Sequence, residues 1–214
     1  MVNTFGLLLS NTEKSYIYLK YLIDNKIYPK KIYIYGKEKS LKIINLSNKL
    51  STNIIKVRTV NDKTIQRYLF KDSLKIFIYS GYPGEIIKNY KLLKNKIIIH
   101  CHPGDLPQFK GSTTIFYSIL LRRAVTYSVF RLSNKLDDGD VYYSKKIKLS
   151  QNFLFDLNRK DYKNRIMFIS KVIKKKLNIK KKKKNKKKYL PYYVAHPIIR
   201  SLSLKRLKKI TKFF

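Results

Sequence analysis

The stretch Lys96-Ile97-Ile98-Ile99-His100-Cys101-His102-Pro103-Gly104-Asp105-Leu106-Pro107 decides how this chain folds. Three consecutive isoleucines with no polar alternation predict a strand from Lys96 to His102 that is buried on both faces, and Pro103-Gly104 ends it. Side chains alternate across a strand, so His100 and His102 share one face and Cys101 takes the other. Working upstream, short β-branched or aromatic runs alternate with longer helical patterns. Strands are expected at Thr4 to Leu9, Lys30 to Tyr35, Asn53 to Val57 and Leu74 to Tyr79. Helices are expected at Thr12 to Asp24, Ser40 to Leu50, a segment capped by Asn61 and running to about Phe70, and Glu85 to Leu93. Downstream, Thr113 to Arg123 reads as a helix, and Val125 to Leu132 and Val141 to Leu149 read as two strands joined through Asp137-Asp138-Gly139. Helical patterns follow at Asn158 to Leu177 and His196 to Lys209.

This order predicts an α/β fold: a Rossmann-like, open, mostly parallel twisted sheet of about seven strands flanked by helices. Residues 1–150 would form the catalytic domain and residues 151–214 a short, basic, helical C-terminal extension. With 214 residues and 44% hydrophobic composition, one domain can bury an adequate core without staples. The single Cys101 excludes a disulfide framework and a zinc site built on paired cysteines. The N-terminus lacks the basic region and apolar core of a signal peptide, and no apolar run nears the ~20 residues that cross a bilayer, so a cytoplasmic protein is expected.

The net charge of +37 is easily over-read. Lys supplies 40 of 49 cations and Ile numbers 27 while Ala occurs twice, the skew that AT-rich coding produces. The charge is also uneven: residues 171–214 carry 18 Lys plus Arg and no acid. The run Lys174 to Lys188 repels itself and reads as a solvated linker, with weak, salt-sensitive nucleic-acid binding as a by-product.

The special residues are clustered. Gly81, Gly84, Gly104, Gly111 and Gly139 are five of the seven glycines, and Pro83, Pro103 and Pro107 are three of the six prolines. Such clustering marks loops of unusual backbone geometry after strand C-termini, where open α/β sheets bind ligands. His100 and His102 converge there, and Asp137 is the carboxylate placed to join them. Neutral imidazole exchanges protons near neutral pH, and a neighbouring carboxylate sets its tautomer and basicity. Structural histidines bonded to buried carbonyls, and a two-histidine, one-carboxylate metal site, are the competing readings of the same three residues.

Ile99-His100-Cys101-His102-Pro103-Gly104-Asp105-Leu106-Pro107-Gln108-Phe109-Lys110-Gly111, followed by Leu136-Asp137-Asp138-Gly139-Asp140, resembles the core signature of formyltransferases that use 10-formyltetrahydrofolate. That family shows Asn-x-His-Pro-Ser-Leu-Leu-Pro, an aromatic, a basic residue and Gly, and one helix and one strand later Asp-x-Gly. The resemblance covers roughly residues 74–149. It implies that His102 stabilises the oxyanion formed as an amine attacks the formyl carbon, and that Asp137 sets the protonation of His102 and relays the amine proton. It further implies that Gly81, Tyr82, Leu136, Asp138 and Gly139 wall the folate pocket, and that no metal takes part. The family Asn, a hydrogen-bond donor to the formyl oxygen, is His100 here, and an imidazole N–H could serve in its place. Gly104 and Asp105 also depart from the family Ser and Leu.

Three branches of that family differ in the acceptor amine. Ser10-Asn11-Thr12-Glu13-Lys14 lacks the glycine-rich phosphate loop of glycinamide ribonucleotide transformylases. After Leu149 only 65 residues remain, without the strand alternation of the β-barrel domain in methionyl-tRNA formyltransferases. Elimination favours an amino-sugar N-formyltransferase, with a nucleotide-linked sugar amine as the small-molecule partner and a homodimer as an allowed assembly. The tail Tyr192-Tyr193-Val194-Ala195-His196-Pro197 offers rings for a base or sugar, or for packing on the sheet. The reading from another class is a catalytically weakened member that binds RNA through its basic tail.

Overall fold

A computed structural model describes residues 4–36, 41–47, 50, 52–149, 156–174 and 189–211. Seven strands lie in the order β3-β2-β1-β4-β5-β6-β7. They are β1 (Gly6–Ser10), β2 (Lys31–Tyr35), β3 (Thr52–Ile55), β4 (Ile76–Ser80), β5 (Ile97–His102), β6 (Ala124–Arg131) and β7 (Val141–Lys148). The first five pair in parallel, β6 pairs antiparallel with β5, and β7 pairs antiparallel with β6. Seven helices are described: α1 (Glu13–Asp24), α2 (Leu41–Ser47), α3 (Lys63–Lys71), α4 (Tyr90–Asn95), α5 (Thr114–Arg122), α6 (Leu157–Lys174) and α7 (Pro197–Thr211). The expected α/β architecture is therefore present.

The apolar runs explain the layers. Leu7 and Leu9 of β1 join one core cluster with α1 and α6, while Leu8 joins the other with Tyr33, Phe77, Ile98 and α3. A strand buried on both faces has no need of polar alternation. Helix α6 contributes Ile166, Phe168, Ile169, Val172 and Ile173 to the first cluster, alongside Cys101, Val125 and Val129 of β5 and β6. Helix α7 runs along α5, where Ser203 Oγ donates to the Phe116 carbonyl at 2.8 Å and Leu207 is fully buried.

Two expectations about helix starts are corrected. The cap of α3 is Asp62, whose carboxylate accepts from Thr64 N at 2.8 Å, and not Asn61. Asn61 is committed across the loop: its Nδ2 donates to the Ile86 carbonyl and its Oδ1 accepts from Lys88 N, each at 2.8 Å. Those bonds also explain why Glu85 to Asn89 is not helical. Its backbone groups are drawn to Asn61, and α4 begins only where Asn89 accepts from Leu92 N at 3.0 Å. The Lys-rich run from 175 to 188 lies outside the described residues.

The chain reverses direction across the sheet between β1 and β4, the topological switch point where ligands bind in open α/β sheets. The loops after β1, β4 and β5 all open there.

Candidate functional site

A cavity of about 650 Å³ opens at these strand ends. Thr12, Glu13 and Lys14 from the start of α1 and Gly81 to Ile87 after β4 form two of its walls. His100, His102 and Pro103 line it from β5, Leu132 to Asp137 from the β6–β7 loop, and Asn158, Asp161, Tyr162 and Arg165 from α6. Its size suits a small organic ligand, since such pockets run from roughly 300 to 1,000 Å³.

The sequence-predicted triad converges here. His102 is 5% exposed, and its Nδ1 lies 3.5 Å from Asp137 Oδ2. Its Nε2 donates to the Phe109 carbonyl at 2.7 Å and lies 3.1 Å from Thr114 Oγ1, which in turn donates to the Pro103 carbonyl at 3.0 Å. Burial lowers the His102 pKa, and the Asp137 charge opposes that shift. His100 Nδ1 lies 3.1 Å from the Tyr79 carbonyl, with its ring between Tyr79 and Phe130 at centroid distances of 6.0 and 5.9 Å. Burial first, and then the charges of Lys14 and Arg165, hold His100 well below the ordinary histidine value.

The loop after β5 explains Gly104. Ser128 Oγ donates to the Gly104 carbonyl at 2.7 Å and accepts from Leu106 N at 3.2 Å, so residues 104–106 are drawn back over β6. A Cβ at position 104 would collide with the Phe109 carbonyl oxygen and come within 2.7 Å of His102 Nε2. Only glycine lets that carbonyl reach the imidazole.

Asp137 adopts a positive φ of 47° and accepts from Gly111 N at 2.9 Å. Gly111, at φ 109°, is gripped on both sides by the C-terminal strap: Tyr192 N donates to the Lys110 carbonyl at 2.8 Å, and Ser112 N donates to the Tyr192 carbonyl at 2.9 Å. Tyr192 itself stacks on Phe109 at 5.2 Å and 14°. Its ring serves packing, the commoner of its two expected roles.

Of the expected folate-wall residues, Gly81, Tyr82 and Leu136 line the cavity. Asp138 and Gly139 do not; they face an adjoining hollow of about 330 Å³ with Arg131 and Asp140. Arg131 N donates to the Asp140 carbonyl at 2.9 Å, and this closure packs Gly139 against the end of β6 and away from the main cavity.

Several cavity residues escaped the sequence reading. Lys14 Nζ donates to the Gly81 carbonyl at 2.7 Å, and burial, then the Arg165 charge, brings its pKa down to about 7. Its position in the turn after β1 was the available signal. Arg165 pairs with Asp161 at 2.5 Å one helical turn away, while Asp161 Oδ1 and Arg165 Nε are buried without a hydrogen-bond partner among the described residues. Glu85 accepts from Thr59 Oγ1 at 2.7 Å, Val60 N at 2.8 Å, Tyr79 Oη at 2.9 Å, Tyr82 N at 3.2 Å and Tyr35 Oη. That hub ties β2, β4 and the start of α3 to the Tyr82 loop. Among the described residues, no helix is long and apolar enough to cross a membrane.

With this geometry in hand, known proteins give it a context. No family model matches the chain. In sequence it is 30% identical over 110 residues to a methionyl-tRNA formyltransferase of Finegoldia magna, a match covering 50% of this chain and 35% of that protein. The chain thus spans about a third of the length of the curated relative it matches. In structure it is similar to a sugar N-formyltransferase from Shewanella sp FDAARGOS_354, with a TM-score of 0.63 and 14% identity over 95% of this chain and 87% of that one. A glycinamide ribonucleotide transformylase from Symbiobacterium toebii gives a TM-score of 0.62 and 13% identity over 81% and 86% of the two chains. A methionyl-tRNA formyltransferase from Clostridium thermocellum gives 0.57 and 12% over 91% and 74%. The fold is that of the formyltransferases, so the resemblance drawn from the sequence is borne out at the level of the fold.

Proposed function

We propose that the chain transfers a formyl group from 10-formyltetrahydrofolate to a primary amine, and that the amine belongs to a nucleotide-linked amino sugar. The observation that carries this reading is the His102–Asp137 pair on a cavity at the strand ends of a formyltransferase fold. Tyr82, Ile86, Ile87, Leu132 and Leu136 give that cavity apolar walls for a flat heterocycle, beside the exposed backbone of Gly84. These residues fit the folate donor.

Formyl transfer starts with attack of an uncharged amine on the formyl carbon. The carbonyl electron pair moves to oxygen, and the C–N bond to the folate nitrogen then breaks, leaving its electrons on that nitrogen, which takes up a proton. The cavity disfavours cations: Lys14 is brought to about 7 and both imidazoles are depressed. An acceptor amine bound beside them would lose its proton by the same physics. His102 Nε2 is committed to the Phe109 carbonyl, so a proton arriving on the ring goes to Nδ1, where Asp137 stabilises the imidazolium. Lys14, Arg165, Arg200 and Lys135 on the cavity wall favour an acceptor that carries phosphate. The buried Asp161 Oδ1 and Arg165 Nε suit a hydroxyl that donates to one and accepts from the other. The sequence match to a methionyl-tRNA formyltransferase makes methionyl-tRNA the second acceptor to test.

The test is a screen of nucleotide-linked amino sugars and methionyl-tRNA with donor labelled in the formyl group. A labelled N-formyl sugar is the expected product, and His102→Ala should lower its rate by about 10²–10³-fold, the usual worth of one group that stabilises the developing oxyanion. If no acceptor is labelled, or if His102→Ala turns over at the wild-type rate, the reading fails.

A further inference from the structure

The residue that stands where formyltransferases carry an asparagine is held in a state opposite to that of an amide donor. His100 Nδ1 lies 3.1 Å from the Tyr79 carbonyl oxygen, and a carbonyl can only accept, so Nδ1 carries the hydrogen. A neutral imidazole has one N–H. The remaining nitrogen, Nε2, therefore has a lone pair and no proton, and His100 lines the cavity. The ring is fixed in place by Tyr79 on one side and Phe130 on the other, and β5 pairs His100 with Phe130 in register.

We infer that His100 is a proton acceptor for the attacking amine through Nε2, in place of a hydrogen-bond donor to the formyl oxygen. The inference rests on the formyl-transfer reading and deepens it by assigning the proton's path. As the amine nitrogen bonds to the formyl carbon, the carbonyl pair moves to oxygen and the nitrogen becomes cationic. It releases its proton to the Nε2 lone pair, and the imidazolium then returns that proton to the folate nitrogen as the carbon–nitrogen bond breaks toward it. Proton and charge balance, and no further reagent is needed. The charged and titratable groups that bear on His100 are Lys14 from α1, Arg165 from α6, His102 from β5 itself and the Tyr79 ring from β4. The cations among them oppose a resting imidazolium, which keeps the lone pair free at neutral pH and makes the captured proton easy to return.

The experiment has one arm independent of turnover. In protein labelled with ¹⁵N-histidine there are three imidazoles, and His100→Asn and His196→Asn assign two of them by loss of signal. The expected spectrum at pH 7 shows His100 neutral with its hydrogen on Nδ1. A hydrogen on Nε2 overturns the inference whatever the enzyme does. In the kinetic arm, His100→Asn installs the family amide. The expected result is a turnover loss of about 10²–10⁴-fold with the amine KM little changed, and loss of the acid limb of the rate profile. Imidazole added to His100→Ala should restore rate in proportion to its free-base concentration. An unchanged rate and profile in His100→Asn would show that donation is what this position supplies, and would sink the proposal. Should the wild-type chain formylate no acceptor, the formyl-transfer reading falls and takes the relay with it, while the tautomer is still read independently.

Discussion

Burial of two imidazoles at one strand end gives the protein a defined response to acid. Desolvation lowers the pKa of both His100 and His102 in the folded chain, and the unfolded chain titrates near the ordinary value of about 6.5. As pH falls through about 6.5, the unfolded state gains protons that the folded state refuses, so stability declines toward the folded pKa values. Above that pH the two histidines contribute no slope. The melting temperature should therefore drop between pH 6.5 and pH 5, and His100→Asn should flatten the drop. Parallel slopes for the two proteins would show that His100 is not desolvated as described. The histidine pair itself was legible in the sequence, because alternation along a strand is a local rule. The orientation of the rings was not, since Tyr79 and Phe109 supply the carbonyls that set it.

Among the elements, the connection from β4 to α4 shows where local pattern reading stops. Glu85 to Leu93 has helical spacing, yet Glu85 leaves the helix to gather hydroxyls and amides from four segments. Tyr35 and Tyr79 are 1% and 3% exposed, and burial together with the Glu85 carboxylate raises both phenols above the usual tyrosine pKa. Removing the carboxylate leaves buried donors unpaired at about 1–3 kcal/mol each. Glu85→Ala should thus cost more than about 3 kcal/mol, seen as a melting temperature lower by roughly 6–12 °C. A change under about 2 °C would mean the hydroxyls find other acceptors. The same substitution removes the Glu85 bond to Tyr82 N at the cavity wall, so weaker binding of a folate analogue should accompany the loss. By contrast, β1, β2, β4 and β5 were readable to within two residues, because their apolar runs are buried on both faces and tolerate no other reading.

At the scale of the whole molecule, the far end of the chain returns to support the near end of the site. Tyr192 brackets Gly111 through backbone bonds to Lys110 and Ser112, Gly111 N holds Asp137, and Asp137 faces His102. Tyr192→Pro removes the donor to Lys110 O and with it about 0.5–1.5 kcal/mol. Turnover should fall by roughly tenfold, the equivalent of about 1.4 kcal/mol in the barrier, whereas Tyr193→Ala, at an exposed ring, should leave it unchanged. Equal rates for Tyr192→Pro and wild type would uncouple the strap from Asp137. The sequence alone established the α/β class, the loops that carry the cavity, and the candidates His100, His102 and Asp137, all through rules spanning a few residues. Tertiary structure alone decided that Lys14, Asp161 and Arg165 share that cavity, that Asp138 and Gly139 turn away from it, and that a strap from 189–195 braces it. Those contacts join segments up to about 150 residues apart, and strand order, not local spacing, determines which distant groups meet.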